Sequence, residues 1–259
     1  MLKKTGAHFA HSSPPSTQDA QGFLLDWDGC CAIGNRLVPE AADFLREQAP
    51  RCAIVSNNST NTVEEFRDML KGEGIAMRPD QIVLAGTEAL LRAAEIRASR
   101  TLILGDPRMR AIARKLGVEL AQEEAELVVL LRDTRFSYRR LERAVNAVSN
   151  GARLVVANPD TTHPGTDGRL MPETGALLSA IKACVEIPRG VVEVVGKPSP
   201  RLFSKGCAAL DLPPAQVLMI GDNPQTDIQG AEALGMQTRL VDSPPGVFFH
   251  TLRQQLKSA

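Results

Sequence analysis

The chain has 259 residues, with Lys plus Arg and Asp plus Glu equal at 30 each, so its formal net charge is zero. That length buries a substantial core as one large domain or two modest ones, and a neutral balance removes the electrostatic case for a nucleic-acid or anionic-membrane partner. The five cysteines are scattered without a C-x-x-C pair, the usage of a reducing cytosol rather than of a disulfide framework or zinc site.

Residues 1–20 are polar, carry Pro14-Pro15 and lack a long apolar stretch, which reads as a flexible tail and not as a secretory signal. His8 and His11 within it make a poor metal pair in a mobile segment. No apolar run in the chain approaches the roughly 18–20 residues of a membrane span, so a cytoplasmic protein with no membrane partner is expected.

Gly22–Leu25 is a short apolar run that stops at Asp26-Trp27-Asp28-Gly29. It reads as a buried parallel strand delivering two carboxylates at its carboxyl end. Residues two apart in an extended chain point the same way, so Asp26 and Asp28 serve one site while Trp27 points elsewhere. Two adjacent acids call for a divalent cation or a shared proton; the alternative is a strand-to-loop junction with solvated acids. Cys30-Cys31 reads as two small buried residues after the strand.

A helix is expected over Pro39–Gln48, with Pro in its first turn, and a second strand over Arg51–Val55. That strand runs into Ser56-Asn57-Asn58-Ser59-Thr60, just before a helix over Thr62–Leu70. Such hydroxyls and amides suit either an anion-binding loop or an N-cap cluster. The middle third then alternates helix (Gly86–Arg97), strand (Thr101–Leu104), helix (Pro107–Leu116) and strand (Leu127–Leu131). A helix N-capped by Ser137 follows, with Leu141, Ala144, Val145 and Val148 on one face, and then a strand over Leu154–Ala157. This reads as an α/β unit of its own.

Asn158–Glu173 is expected as a long turn-rich loop carrying His163, followed by a helix over Gly175–Val185. Val191–Val195 is an apolar strand that ends on Gly196-Lys197-Pro198. A P-loop is excluded there, because Pro follows Lys197 and no glycine stands five positions before Gly196. Lys197 is either a surface lysine or a cation delivered to an anion site. After a helix over Ser199–Leu210, the strand Val217–Ile220 ends on Gly221-Asp222-Asn223-Pro224-Gln225-Thr226-Asp227. A helix over Ile228–Leu234, a strand over Thr238–Val241 and a helix near Phe248–Leu256 complete the chain.

Four apolar strands thus end on DWDG, SNNS, GK and GDNPQTD. In a doubly wound parallel sheet their carboxyl ends share one edge, where ligands bind. The acids suit Mg²⁺, and Lys197 with Ser56 and Asn57 suits phosphate oxygens, so the joint reading is phosphoryl transfer.

In this order and spacing the four segments resemble the haloacid dehalogenase-like hydrolase superfamily. The long insertion looks like its α/β-capped subclass, which includes nitrophenyl phosphatase-like and pyridoxal phosphate phosphatase-like enzymes. The resemblance implies an α/β fold: a doubly wound parallel-sheet (Rossmann-like) core over residues 21–80 and 183–259, with an inserted α/β cap domain over 81–182. It implies Asp26 as a nucleophile that becomes phosphorylated and Asp28 as general acid and base. It implies Mg²⁺ held by Asp26, Asp222 and the Asp28 main chain, with Asp227 in support. Ser56, Asn57 and Lys197 would bind phosphate, and Asn58 and His163 the rest of the substrate. The expected function is a phosphoric monoester hydrolase acting on a small phosphorylated metabolite, pyridoxal or pyridoxine 5′-phosphate among the candidates. Nucleotide, glycerol, glycolate and sugar phosphates are alternatives, as are a phosphomutase and a non-catalytic phosphate-binding protein. Caps of this kind often dimerise in relatives, so the resemblance also implies a homodimer through the cap as an expectation. The chain departs from the pyridoxal phosphate phosphatases at Thr60, where they carry Arg, and at Arg132, where they carry Tyr. Cys30 replaces the usual Thr or Val, and Asp133 beside Arg132 is either a specificity residue or a solvated strand end.

Overall fold

A computed structural model describes residues 20–34, 36–165 and 169–258. The expected flexible tail, with His8 and His11, lies outside the described residues except for Ala20.

Alternation along Gly22–Leu25 sends Phe23 and Leu25 into one apolar cluster and Leu24 into another. A strand buried on both faces belongs in the middle of a sheet. It is the centre of a five-stranded parallel sheet, ordered Gln237–Leu240, Val217–Gly221, Gly22–Leu25, Cys52–Ser56, Ile82–Leu84. Leu25 stands level with Ile220 on one side and Ile54 on the other, so the three loops that follow emerge at one edge. Helices Pro39–Gln48 and Pro245–Lys257 cover the Phe23 face, where Phe44 meets Phe23 edge-on and Phe249 at a tilt, with ring centroids 5.4 and 5.5 Å apart. Helix Pro200–Leu210 covers the other face with Leu202 and Phe203. The doubly wound α/β expectation is met.

A second parallel sheet of four strands lies between these elements in the chain, ordered Val192–Val194, Arg153–Val156, Leu127–Leu130, Thr101–Leu104. Its Ile103, Val129 and Val155 share one core with Leu24 and Val55 of the first sheet and with helix Ala85–Ile96. Its opposite face packs on helices Tyr138–Ser149 and Thr174–Cys184.

Two strands stand elsewhere than expected. Ile82–Leu84 falls in the stretch assigned to the cap, yet it pairs with Ile54–Ser56 as an edge of the first sheet. Val192–Val194 falls in the stretch assigned to the core, yet it pairs with Leu154–Val156 as an edge of the second. The four strand ends therefore belong to two sheets. The reason is physical: a three-residue strand has no pattern that names its partner. Glu193, mid-strand and ion-paired with Arg92 at 2.7 Å, is the edge signature in this run.

Smaller differences are local. Thr62 and Glu65 form a reciprocal capping box at the start of helix Val63–Gly72. Ser137 holds the N-cap position, but its side chain makes no capping hydrogen bond. The 158–173 loop contains a short antiparallel hairpin, Thr162–Pro164 with Leu170–Pro172. In place of one helix over Ile228–Leu234 there is a π-helical turn, Pro224–Ile228, and a short helix, Gln229–Glu232. The Asn223 side chain accepts from Gln225 and Thr226 N–H and sets that turn. Among the described residues no helix is long and apolar enough to cross a membrane.

Candidate active site

Loops from the carboxyl ends of both sheets line one cavity of about 970 Å³. Asp26, Asp28, Ser56 and Asp222 reach it from the first sheet, and Arg132, Asp160 and Lys197 from the second. Trp27, between the two acids, turns into the core against Phe66, with ring centroids 4.9 Å apart. The alternation read from the sequence therefore holds: Asp26 is buried, whereas Asp28 is exposed to the cavity.

Close approach of the acids depends on two glycines. A Cβ at Gly29, whose φ is +87°, would meet Asp222 Oδ2 at 2.2 Å. A Cβ at Gly221 would meet Asp227 Oδ2 at 2.2 Å. Carboxylate oxygens of Asp26, Asp222 and Asp227 lie within 4.8 Å of one another. Burial, with Asp227 and Asp222 alongside, raises the Asp26 carboxyl well above its usual range against the opposing pull of Lys197. Asp222 is raised too, by burial and by Asp227. Asp28 faces the open cavity, yet the surrounding walls remove enough water to raise it as well.

Lys197 is the cation in this cluster and is 1 % exposed. Its Nζ lies 2.5 Å from Asp26 Oδ1 and 2.7 Å from Asp227 Oδ1. Burial pulls its pKa down, but Asp227 and Asp26 outweigh that and hold it above the ordinary lysine value, so it stays charged. The second sheet delivers it: Gly196 N–H donates to Ala157 O at 2.7 Å, and Lys197 N–H to Asn57 Oδ1 at 2.8 Å. It is neither a surface lysine nor a strand end of the first sheet.

The SNNS loop serves as the seam between the two sheets. Ser56 Oγ accepts from Asn58 N–H at 3.1 Å at the cavity wall. The Asn57 amide donates to Asp160 Oδ2 at 2.9 Å and to Lys197 O at 3.2 Å. Ser59 Oγ accepts from Arg132 N–H at 2.9 Å, and Asn158 donates to Asn57 O at 2.7 Å. Asn58 lines the cavity, but its Oδ1 accepts from Thr60 and Asn61 N–H at 3.1 and 2.8 Å. Its amide is therefore engaged in shaping the loop.

His163, on the hairpin, reaches the cavity together with Arg132 and Glu173. His163 Nδ1 lies 2.8 Å from Glu173 Oε1, and Arg132 Nε lies 3.6 Å from the same oxygen. Asp133 is not at the cavity; its buried carboxylate pairs with Arg140 and accepts from Arg135 N–H. Asp160 and Glu173, which have no role in the sequence-based expectation, also line the cavity. The Asn158-Pro159-Asp160 triplet at a strand end was a signal for the first, whereas Glu173 stood in a turn-rich loop with nothing to mark it.

The donor set fits a hard divalent cation. Asp26 and Asp222 offer carboxylate oxygens toward the cavity, and the cluster among the described residues is made of carboxylates alone, as Mg²⁺ or Ca²⁺ prefers. Asp227 is already committed to Lys197 and to Asn223 N–H at 3.1 Å. Burial first, and the neighbouring aspartates after it, raise Asp26 and Asp222 despite Lys197, and a cation beside them would act in the opposite sense.

A parallel sheet carrying two acids on its central strand, a hydroxyl loop on the next and an acid on the third defines a class of phosphate-handling enzyme. The comparisons agree. Residues 23–119 match the haloacid dehalogenase-like hydrolase family, and residues 194–254 match a second HAD-hydrolase-like family. The sugar phosphatase AraL of Bacillus subtilis is 31% identical over 240 residues, covering 90% of this chain and 85% of that protein. The structure of the p-nitrophenyl phosphatase from Archaeoglobus fulgidus superposes with a TM-score of 0.75 at 28% identity, covering 86% of each chain. The glycerol phosphate phosphatase of Mycobacterium tuberculosis in complex with magnesium superposes at 0.76 with 26% identity, covering 88% of this chain and 69% of that one. The chain belongs to the haloacid dehalogenase-like hydrolases. Within them it is a phosphoric monoester hydrolase acting on small phosphates.

Proposed function

We propose that the protein is a Mg²⁺-dependent phosphatase in which Asp26 attacks the phosphorus of a small phosphate monoester. The observation that carries this reading is the charged Lys197 held against Asp26 at the cavity wall, with Asp28 beside it and Asp222 opposite. An Asp26 oxygen forms the bond to phosphorus as the bond to the leaving oxygen breaks, and Asp28 gives that oxygen its proton. Asp28, now ionised, takes a proton from the water that cleaves the aspartyl phosphate, which returns Asp26 and releases phosphate. The raised Asp28 carboxyl suits a group that must begin protonated.

Ser56 holds a phosphate oxygen, Asn57 keeps the loop in place through Asp160 and the Lys197 main chain, and Lys197 offsets charge on both nucleophile and phosphoryl group. Asp227 keeps Lys197 in place. The Asp26 and Asp222 carboxylates and the Asp28 main-chain carbonyl would hold Mg²⁺, which supplies neutralisation of the repulsion between anionic nucleophile and anionic phosphate. The second-sheet unit acts as the cap that closes the site.

The leaving-group wall supports a hydroxyl-rich substrate over the vitamin B6 ring that His163 suggested. Thr60, Thr161, Thr162, Arg132, His163 and Gln225 line it, and among the described lining residues there is no Phe, Tyr or Trp to stack on a pyridine or a nucleobase. A sugar phosphatase among the relatives points the same way. The phosphomutase and scaffold alternatives draw no support from relatives named as phosphatases.

The test is phosphate release with Mg²⁺ from a panel of nitrophenyl, glycerol, sugar, glycolate, nucleoside and pyridoxal phosphates, with Asp26→Asn as the blank. Release of glycerol or sugar phosphates well ahead of pyridoxal phosphate supports the reading. A pyridoxal phosphate preference restores the ring-binding role of His163, and full activity in the blank removes Asp26 as nucleophile.

A further inference from the structure

Glu173 stands at the centre of the cavity's leaving-group wall. Its Oε1 faces both His163 Nδ1 at 2.8 Å and Arg132 Nε at 3.6 Å, and its Oε2 accepts from Thr174 N–H at 3.2 Å. The His163 Nδ1 atom is buried at this short contact, which is not aligned as a hydrogen bond and leaves Nδ1 with no other polar partner; the ring as a whole is part-exposed, and Nε2 is its other polar atom. A carboxylate beside one ring nitrogen decides which nitrogen carries the proton. With Glu173 ionised, the proton of neutral His163 sits on Nδ1, and Nε2 is an acceptor. Arg132 offers donors only. An acceptor and a donor on one wall match a hydroxyl group, which both donates and accepts.

We propose that Glu173 is a positioning residue for substrate choice: its carboxylate fixes His163 as a hydrogen-bond acceptor and holds Arg132 beside it, tuning the wall to leaving groups that carry hydroxyls. The inference rests on the phosphatase reading above and assigns a determinant of its substrate class.

One proton reverses the chemistry. Taken up by the Glu173–His163 pair, it turns Nε2 into a donor beside Arg132, and the wall then suits a carboxylate. Burial pushes Glu173 up to about 7, against Arg132 and the Thr174 N–H and with help from Asp160 and Asp28. Burial, then Arg132, lowers His163. The charged groups facing the pair are Arg132 after Leu127–Leu130, Asp160 after Arg153–Val156 and Asp28 from the first sheet; Arg169 of the hairpin loop lines the same cavity.

The experiment measures kcat and KM with Mg²⁺ from about pH 5.5 to 8.5 for glycerol phosphate, phosphoglycolate and nitrophenyl phosphate. The proteins are the full chain, Glu173→Gln and Glu173→Ala. The second ionisation of the phosphate differs among the three substrates, so each KM is corrected to the dianion with that substrate's own titration before the ratios are taken. As pH falls through about 7, the glycerol phosphate KM should rise relative to nitrophenyl phosphate and the phosphoglycolate KM should fall. Glu173→Gln, which cannot ionise, should flatten both ratios. Glu173→Ala should raise the glycerol phosphate KM roughly tenfold more than that of nitrophenyl phosphate, about the loss of one hydrogen bond, with Gln restoring most of it at high pH. Equal changes on all three substrates, or ratios that still depend on pH in Glu173→Gln, overturn the proposal. If the Ala variant does not fold by circular dichroism, the Gln variant decides alone. A wild-type chain that releases phosphate from nothing overturns the phosphatase reading itself, a result distinct from activity without the pH-linked ratios.

Discussion

Lys197 Nζ lies 2.5 Å from Asp26 Oδ1, although the two residues leave strands of different sheets. Asp26 ends Gly22–Leu25 in the first sheet, and Lys197 follows Val192–Val194 at the edge of the second. The charge constellation is therefore complete only when the two sheets are seated on their shared core. Its own hydrogen bonds hold that seating, through Asn57 to Asp160 and to the Lys197 main chain.

Replacing Lys197 by Met keeps the stem and removes the charge. Two buried carboxylates then face each other without a counter-ion, which typically costs about 3–5 kcal/mol. The variant should unfold at lower denaturant than wild type and release phosphate at least roughly 10²-fold more slowly. Chemical denaturation with steady-state kinetics checks both. Loss of rate without loss of stability would leave Lys197 a catalytic part but not the electrostatic keystone of the seam.

Asp26→Asn tests the opposite sign. It removes one of the mutually repelling carboxylates while the amide fills the same volume, so folding should be as stable as wild type or more so. Phosphate release should fall to background, because an amide is no nucleophile toward phosphorus. Thermal unfolding beside the phosphate assay is the measurement; a stable variant that keeps its activity removes Asp26 from the mechanism.

A divalent cation should stabilise the fold through the same acids. Binding to the folded state alone adds about 2.7 kcal/mol at a hundredfold excess over Kd. Mg²⁺ should therefore raise the wild-type Tm in the absence of any substrate, and a chelator should reverse the gain. Asp222→Asn, which loses a cavity-facing oxygen but no partner of Lys197, should abolish that Mg²⁺-dependent rise. A rise that persists in Asp222→Asn would place the cation elsewhere.

The contrast between what could and could not be read beforehand follows from range. Asp26, Asp28, Asp222 and Lys197 were legible because each stands directly after an apolar run, and a strand end is a local feature. Sheet membership is not local. Val192–Val194 looked like any buried strand, and only its pairing with Leu154–Val156 shows that Lys197 comes from the other sheet. Asn57 was read as a phosphate ligand from its type, yet its amide engages Asp160 and Lys197, contacts made across more than a hundred residues of chain. Glu173 gained its place through a hairpin that closed inside an apparent loop. Side chains whose roles depend on such long-range closure carry no periodic signal.

Glu173 also carries a prediction about stability, independent of any substrate. Its carboxyl is raised from the ordinary 4.5 to about 7, chiefly by burial. A group raised in the folded state favours folding while it is protonated in both states, and that advantage is lost as pH climbs through its folded value. Wild type should therefore lose stability between about pH 4.5 and 7 relative to Glu173→Gln, which stays neutral throughout, and the difference should level off above that window. At roughly 1.4 kcal/mol per pKa unit, the relative loss is on the order of 3 kcal/mol. Arg132 and His163 beside the carboxylate act to reduce it. Urea denaturation of both proteins at pH 5, 6, 7 and 8 measures the difference directly. A wild-type chain that instead gains stability on Glu173→Gln as pH rises would mean that the carboxylate is held by its two cationic neighbours more strongly than burial opposes it, and the proton on the His163 wall would then have to reside on the imidazole.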